Sequence, residues 1–141
     1  MTTDDSQAWL AIGLDLTLVP AEGGGRQTTL SLSEPFSYRP NWGLPGMTGP
    51  EQTGAPVLCS SAITLEPGGS ARVVVIPLTD THLTEWRLLG QGDDLRMFEG
   101  PRVCGHATVR WTQNTSRPPP VLDEARFRAW AKSGGDGPAP A

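Results

Sequence analysis

Glycine and proline interrupt this chain along its whole length, and they constrain its fold more than any other feature. The 141 residues include 17 Gly and 14 Pro, which together make more than a fifth of the chain. Because these residues mark turns and end helices, the sequence favours many short strands over long helices. A chain of this length buries one core rather than two. We therefore predict a single all-β domain.

The clearest strand pattern runs from residue 9 to residue 19. Leucine and isoleucine occupy every second position from Leu10 to Leu18, which is typical of a strand with one buried face. The other predicted strands cover 36–42, 57–65, 71–78, 95–98 and 103–111, and 83–89 is either a strand or a short helical turn. An antiparallel sheet of about six strands hides its edges by closing into a barrel or by pairing as a sandwich, and the pattern alone allows both.

The charge and the two cysteines bear on partners and location. A net charge of −4 gives no general attraction to a polyanion, so any RNA contact must be local. The acidic N-terminus and the apolar stretch interrupted by Asp15 do not fit a signal peptide or a membrane span. We expect a cytoplasmic protein without membrane partners, in which Cys59 and Cys104 are reduced thiols.

The glycine run Glu22-Gly-Gly-Gly-Arg26 raises the question of a phosphate site. A P-loop requires Lys followed by Ser or Thr after its glycines, at the start of a helix. Here Arg26-Gln27 follows, and residues 28–32 favour extended structure. The sequence therefore predicts no nucleotide site at this run.

Several short motifs keep a common order between about residues 12 and 111. They are 14–20 (LDLTLVP), 22–26 (EGGGR), 38–42 (YRPNW), 67–69 (PGG), 71–76 (ARVVVI) and 95–105 (LRMFEGPRVCG). In this order they resemble the C-terminal barrel, domain III, of bacterial elongation factor Tu. The resemblance implies a closed six-stranded antiparallel β-barrel of the translation-factor type over 9–113, with 22–26 connecting two strands. In that family a separate domain binds and hydrolyses GTP, so no GTPase activity is expected here.

The same resemblance suggests an RNA-facing position. In the family the residue after the YRP motif lies on the side that grips the tRNA, and Asn41 occupies that position here. Arg39 lies in the motif itself, and a cluster with Arg26 and Arg102 would favour RNA binding. The chain departs from the family pattern at 43–56, which is rich in Gly and Pro where the family keeps a regular strand, and at Gly100-Pro101.

Arg26 and Arg102 end the two related segments EGGGR and EGPR. They are candidates for binding an anionic group on a partner. The alternative is that each arginine stabilises its own turn by pairing with Glu22 or Glu99.

The chain beyond the predicted barrel has no counterpart in the resemblance. After a flexible N-terminus at 1–8 and the barrel, we predict a Pro-rich spacer at 114–120, a short helix at 121–133 and a disordered tail at 134–141. Asp123 is the expected N-cap, and Gly134 is the expected stop. Phe127 and Trp130 share one face of the helix, which either covers the chain's own barrel or enters a groove on a partner.

Cys59, Cys104, His82 and His106 are the remaining candidates for chemistry. Their only close pair is Cys104-Gly-His106, which lacks zinc-ligand spacing, and neither histidine has an evident orienting group. Strand alternation and the family pattern disagree on whether Cys104 is buried. We predict no catalytic residue, metal or cofactor. The leading hypothesis is a non-enzymatic module that binds a protein partner; the alternatives are an accessory that binds tRNA or ribosomal RNA, and a Cys/His hydrolase or zinc protein.

Overall fold

The computed structural model describes residues 9–138. The predicted flexible N-terminus at 1–8 and residues 139–141 of the predicted disordered tail lie outside the described residues. The described part of the chain is mostly β-structure. Its strands are β1 (Trp9–Leu18), β2 (Leu30–Ser31), β3 (Asn41–Gly43), β4 (Thr53–Gly54), β5 (Val57–Ser60), β6 (Thr64–Leu65), β7 (Ser70–Val75), β8 (Asp94–Glu99) and β9 (Arg102–Thr115). Its α-helices are α1 (Leu83–Arg87) and α2 (Val121–Ser133). Neither helix is long and apolar enough to cross a membrane.

The sheet is antiparallel but not closed. Seven strands follow the order β4-β3-β8-β9-β1-β7-β5 and curl into a half-barrel, while β2 and β6 form a separate two-stranded ribbon. The expected closed barrel of six strands is therefore wrong in closure and in strand number. The predicted antiparallel β-architecture and the C-terminal helix are confirmed.

The Gly/Pro-rich segment before β5 lies between the two edge strands of the open sheet. It limits edge strand β4 to two residues, and Ala55-Pro56 then leads directly into β5 at the other edge. The chain just after β7 bonds to this segment: the Leu78 N–H donates to the Gly54 carbonyl over 2.9 Å, and the Ile76 N–H donates to the Pro56 carbonyl over 3.2 Å. Because proline has no N–H, the segment cannot supply a continuous ladder here.

Two other strand predictions need correction, and one open alternative is decided. The predicted strand 57–65 is split into β5 and β6, and β6 pairs with β2 rather than with β7. Of the predicted strand 36–42, only Asn41 and Trp42 are in a strand, although Val57 still exchanges backbone hydrogen bonds with Phe36 and Tyr38. Segment 83–89, which was open between strand and helix, contains α1.

The inner cluster is the main hydrophobic core, on one face of the half-barrel. It contains every alternating residue predicted from β1, all of them buried. Other members are Trp42, Val73, Val75, Trp86, Leu95, Met97, Cys104, Ala107 and Val109.

The outer cluster lies on the opposite face and is covered by α2. Its members are Ala11, Leu58, Cys59, Val74, Ile76, Trp111, Phe127, Trp130 and Ala131. Alternation along β9 predicts Trp111 on the same face as Val109. The pairs Gly13–Trp111 and Leu14–Val109 instead leave Arg110 as an extra residue, and this β-bulge places Trp111 on the outer face.

A second bulge settles the burial of Cys104. Met97 pairs with Gly105 and Phe98 pairs with Val103, so Cys104 is the inserted residue. Its side chain is fully buried in the inner cluster. The apolar placement implied by the family pattern is therefore correct, and the exposure implied by simple alternation is not.

Helix α2 has the predicted bounds and docks on the sheet. Pro120, rather than Asp123, precedes its first residue, and Asp123 instead accepts hydrogen bonds from Thr115 and Arg126. Gly134 ends the helix as predicted, with a φ of 77°. At this end the Arg72 guanidinium donates to the carbonyl oxygens of Ala131 and Lys132, each over 2.8 Å, which satisfies carbonyls that the helix leaves unpaired.

Candidate binding site

A pocket of about 280 Å³ lies where the turn at 35–37 meets the chain after β7 and the segment before α2. We call it the arginine pocket. It is lined by Phe36, Arg39, Pro56, Leu78, Arg117 and Pro118. These residues come from four separate stretches of sequence, brought together because residues 36–38 and residue 78 both hydrogen-bond to the 54–57 connection.

Each guanidinium of the pocket is held by one backbone carbonyl. Arg39 Nε donates to the Phe36 oxygen over 2.9 Å, and Arg117 Nη1 donates to the Leu78 oxygen. The Arg117 guanidinium also lies 4.5 Å from the ring centroid of Trp9, which is a cation–π contact. A guanidinium carries five N–H donors, so both side chains keep donors for a ligand.

The backbone around the pocket offers few further donors. The Phe36 N–H donates to the Val57 oxygen over 2.8 Å, and the Leu78 N–H is bonded to Gly54. Pro56 and Pro118 have no N–H at all. None of the six lining residues is acidic. The pocket therefore combines apolar walls with two arginine side chains as its main hydrogen-bonding groups.

Phe36 forms one wall in an unusual backbone conformation. Its φ is 60°, in the left-handed region that bulky residues rarely adopt. Such a conformation costs on the order of 1–3 kcal/mol and persists only where the surroundings impose it. Here the Phe36 carbonyl accepts from Arg39, and its ring packs against the outer cluster. The conformation thus fixes both a wall and one arginine of the pocket.

Of the candidates predicted from sequence, Arg39 lines this pocket and Arg26 does not. Arg26 forms an ion pair with Glu99, whose carboxylate also accepts from the Tyr38 hydroxyl over 2.6 Å. Burial, and then this bond to Glu99, raises the pKa of Tyr38 above its usual value. The charge of Arg26 is therefore compensated inside the protein, by Glu99 rather than by Glu22.

Asn41 and Arg102 are both exposed. Asn41 Nδ2 donates to Gln52 Oε1 over 3.1 Å, and Gln52 in turn donates to the Gly100 oxygen over 3.0 Å. Arg102 stands at the start of β9 and, among residues 9–138, has no ion pair. It stays a candidate for a partner contact but does not line the arginine pocket.

Phe127 and Trp130 lie inside the protein. Their relative exposures are 0% and 2%, and their rings pack against Trp111 at centroid distances of 5.4 and 5.2 Å. This arrangement corresponds to the alternative in which α2 covers the chain's own sheet.

The cysteines and histidines do not come together as one ligand set. Cys59 belongs to the outer cluster and Cys104 to the inner cluster, and neither forms a disulfide. Burial raises the pKa of the Cys59 thiol to about 12 and that of Cys104 to about 11. Within residues 9–138, no three His, Cys, Asp or Glu side chains are placed to hold a metal ion.

Sequence reasoning missed Phe36, Arg117 and the pocket they help to form. Arg117 lies in the segment that was interpreted only as a spacer, and its position before three prolines is the one local signal that its backbone is held extended. The left-handed backbone conformation of Phe36 could not be predicted from its residue type, because bulky residues rarely adopt it.

Comparisons with known proteins add no family. No protein-family model matches the chain, and no curated protein matches it significantly. The likeness to domain III of elongation factor Tu therefore rests on the motifs quoted above.

Proposed function

We propose that this protein is a non-enzymatic binding module that acts through protein–protein contacts, with the arginine pocket as its contact site. The observation that carries the proposal is the pair of anchored guanidiniums, Arg39 and Arg117, beside apolar walls that contain no acidic side chain. Such a pair suits an anionic group on a partner, because charge-assisted bonds to guanidinium are about twice as strong as neutral ones.

The rest of the molecule agrees with binding rather than catalysis. Both thiols are buried with raised pKa values, which disfavours the nucleophilic thiolate. The resemblance to domain III supports a binding module, because in that family GTP hydrolysis belongs to another domain. We propose the cytoplasm as its location, since two free buried thiols suit a reducing compartment.

RNA is the competing class of partner. The chain is acidic overall, and Glu99 compensates Arg26, so the positive cluster that RNA binding requires loses one of its three expected members. Protein is therefore the partner class that we propose.

Affinity capture from native lysate tests the proposal. Three baits are compared with and without nuclease: the wild type, the double variant Arg39→Ala/Arg117→Ala, and the control Arg128→Ala on α2 outside the pocket. We expect a defined protein to survive nuclease on the wild type and the control, and to be lost with the double variant. Recovery of tRNA or ribosomal components that vanishes on nuclease treatment would replace the proposal by the RNA alternative. Equal capture by all three baits would remove the arginine pocket as the contact site.

A further inference from the structure

We propose that the arginine pocket binds the free C-terminal carboxylate of a peptide chain whose last side chain is apolar. This inference rests on the proposed function and names the chemical group that the pocket recognises. It follows from the hydrogen-bonding inventory of the pocket, the character of its walls and its size.

The hydrogen-bonding groups of the pocket favour a ligand group that accepts hydrogen bonds. The carbonyl oxygens of Phe36 and Leu78 already accept from the two arginines, and the N–H groups of the same two residues are already bonded. The remaining polar groups of the lining side chains are guanidinium N–H donors. A carboxylate or phosphate satisfies them, whereas an ammonium group would be repelled.

The walls favour a carboxylate over a nucleic-acid phosphate. Phe36, Pro56, Leu78 and Pro118 line the same pocket as the two exposed arginines, and this apolar surface suits a hydrocarbon side chain next to the charge. A phosphodiester brings a sugar and further negative charges toward a protein whose net charge is −4. The apolar walls would then lie against the polar sugar-phosphate backbone and would bury no hydrocarbon group.

The size favours a chain end over an internal acidic residue. The volume of about 280 Å³ lies just below the range of about 300–1,000 Å³ that is usual for pockets holding a whole small molecule. At a C-terminus the α-carboxylate and the last side chain share one Cα atom, so both enter one pocket together. In an extended internal segment, neighbouring side chains point to opposite faces, which carries an apolar neighbour away from an acidic one.

A titration of ¹⁵N-labelled protein followed by NMR tests the inference in the wild type. The probe is a hexapeptide ending in Phe with a free carboxylate. Its comparators are the C-terminal amide of the same peptide, a peptide with an internal Glu and a blocked C-terminus, and a short RNA oligonucleotide. We expect the free acid to shift the Nε–Hε signals of Arg39 and Arg117 and the indole N–H of Trp9. We expect at least about tenfold weaker binding of the amide, the effect of losing one charge-assisted interaction.

Variants assign the binding to the pocket. Arg39→Gln and Arg117→Gln should each weaken the free acid by about tenfold. Arg128→Gln, which removes a half-exposed arginine of α2 outside the pocket, should not change it. The unperturbed signals of the rest of the spectrum report whether each variant is folded. Equal affinity for acid and amide, equal affinity for the internal Glu peptide, or displacement of the acid by RNA would each overturn the inference.

The two proposals fail in different ways. If the free acid does not bind but the double arginine variant still loses its protein partner in capture, the partner uses another anionic group and only this inference fails. If capture is also unchanged by the double variant, the proposed contact site fails as well.

Discussion

The indole of Trp111 lies directly on Gly13 of the neighbouring strand. A Cβ atom added at Gly13 would stand 2.2 Å from Trp111 Cε2, and the two residues are paired across β1 and β9. The indole also stacks with Phe127 and meets the Trp130 ring edge-on. Gly13 therefore supplies the flat surface on which Trp111, and through it helix α2, packs against the sheet.

Replacing Gly13 by Ala should destabilise the protein. The new methyl group displaces an indole that is already packed on both sides, and such overpacking typically costs about 1–3 kcal/mol. The free energy of unfolding, measured by urea denaturation followed by tryptophan fluorescence, is expected to fall by this amount.

Gly90→Ala is the matched control for this substitution. No atom lies within 4 Å of the corresponding Cβ position at Gly90. Its effect should stay within about 0.5 kcal/mol. Equal stabilities of the Gly13 and Gly90 variants would show that Trp111 does not lie on Gly13 in solution.

The sequence predicted the parts of this fold that depend on local patterns. The alternation of β1, the hairpin of β8 and β9, and the bounds of α2 follow from side-chain periodicity and from Gly or Pro at the turns. Arg39 was found because it lies in a recognisable motif. Each of these features is contained in one continuous stretch of sequence, where side-chain periodicity is informative.

The features that were missed depend on residues far apart in sequence. The bulges at Cys104 and Arg110 change which face of the sheet the following residues occupy, and no residue type in the sequence indicates them. Whether the sheet closes depends on the lengths of its edge strands, β4 and β5. The arginine pocket joins residues near 36, 56, 78 and 117, so Arg39 and Arg117 line one pocket only in the folded chain.

Phe127→Ala should destabilise the protein far more than Leu122→Ala. Both residues lie on α2, but Phe127 is fully buried and Leu122 is 69% exposed. We expect a loss of about 3–5 kcal/mol for the buried phenylalanine and less than about 0.5 kcal/mol for the exposed leucine. Denaturation and hydrogen exchange of the α2 amides measure this. A Phe127→Ala variant with unchanged stability and exchange would mean that the helix does not cover its own sheet in solution. Phe127 and Trp130 would then be candidates for binding a groove on a partner.

Arg26→Ala should destabilise the protein more than Arg102→Ala, although the two arginines end related sequence segments. The side chains of the Arg26–Glu99 pair are 18% and 34% exposed, so the pair lies between a surface and a buried salt bridge. Removing Arg26 leaves Glu99 and the Tyr38 hydroxyl without their cation, at an expected cost of about 1–2 kcal/mol. Removing Arg102 should change the free energy of unfolding by less than about 0.5 kcal/mol. Equal costs in urea denaturation would contradict the assignment of Arg26 to a structural role.

The two thiols should make stability fall as the pH rises above 9. An unfolded cysteine has an ordinary pKa of 9.0, whereas burial raises the pKa of Cys59 to about 12 and that of Cys104 to about 11. Between pH 9 and pH 11 the unfolded chain therefore loses these protons while the folded protein keeps them, and the free energy of unfolding decreases with pH. The double variant Cys59→Ala/Cys104→Ala should show a shallower decrease over this range, because it lacks both thiols. Some decrease should remain, because burial also raises the pKa of Tyr38.

Thiol labelling gives an independent reading of the same burial. At pH 8 both thiols are neutral and buried in the folded protein, so a maleimide or disulfide reagent should react only as fast as the protein opens. Addition of urea should release both thiols together with unfolding. Rapid labelling of Cys59 alone under native conditions would show that α2 lifts from the outer cluster without global unfolding, since Cys59 lies beneath that helix and Cys104 lies in the inner cluster.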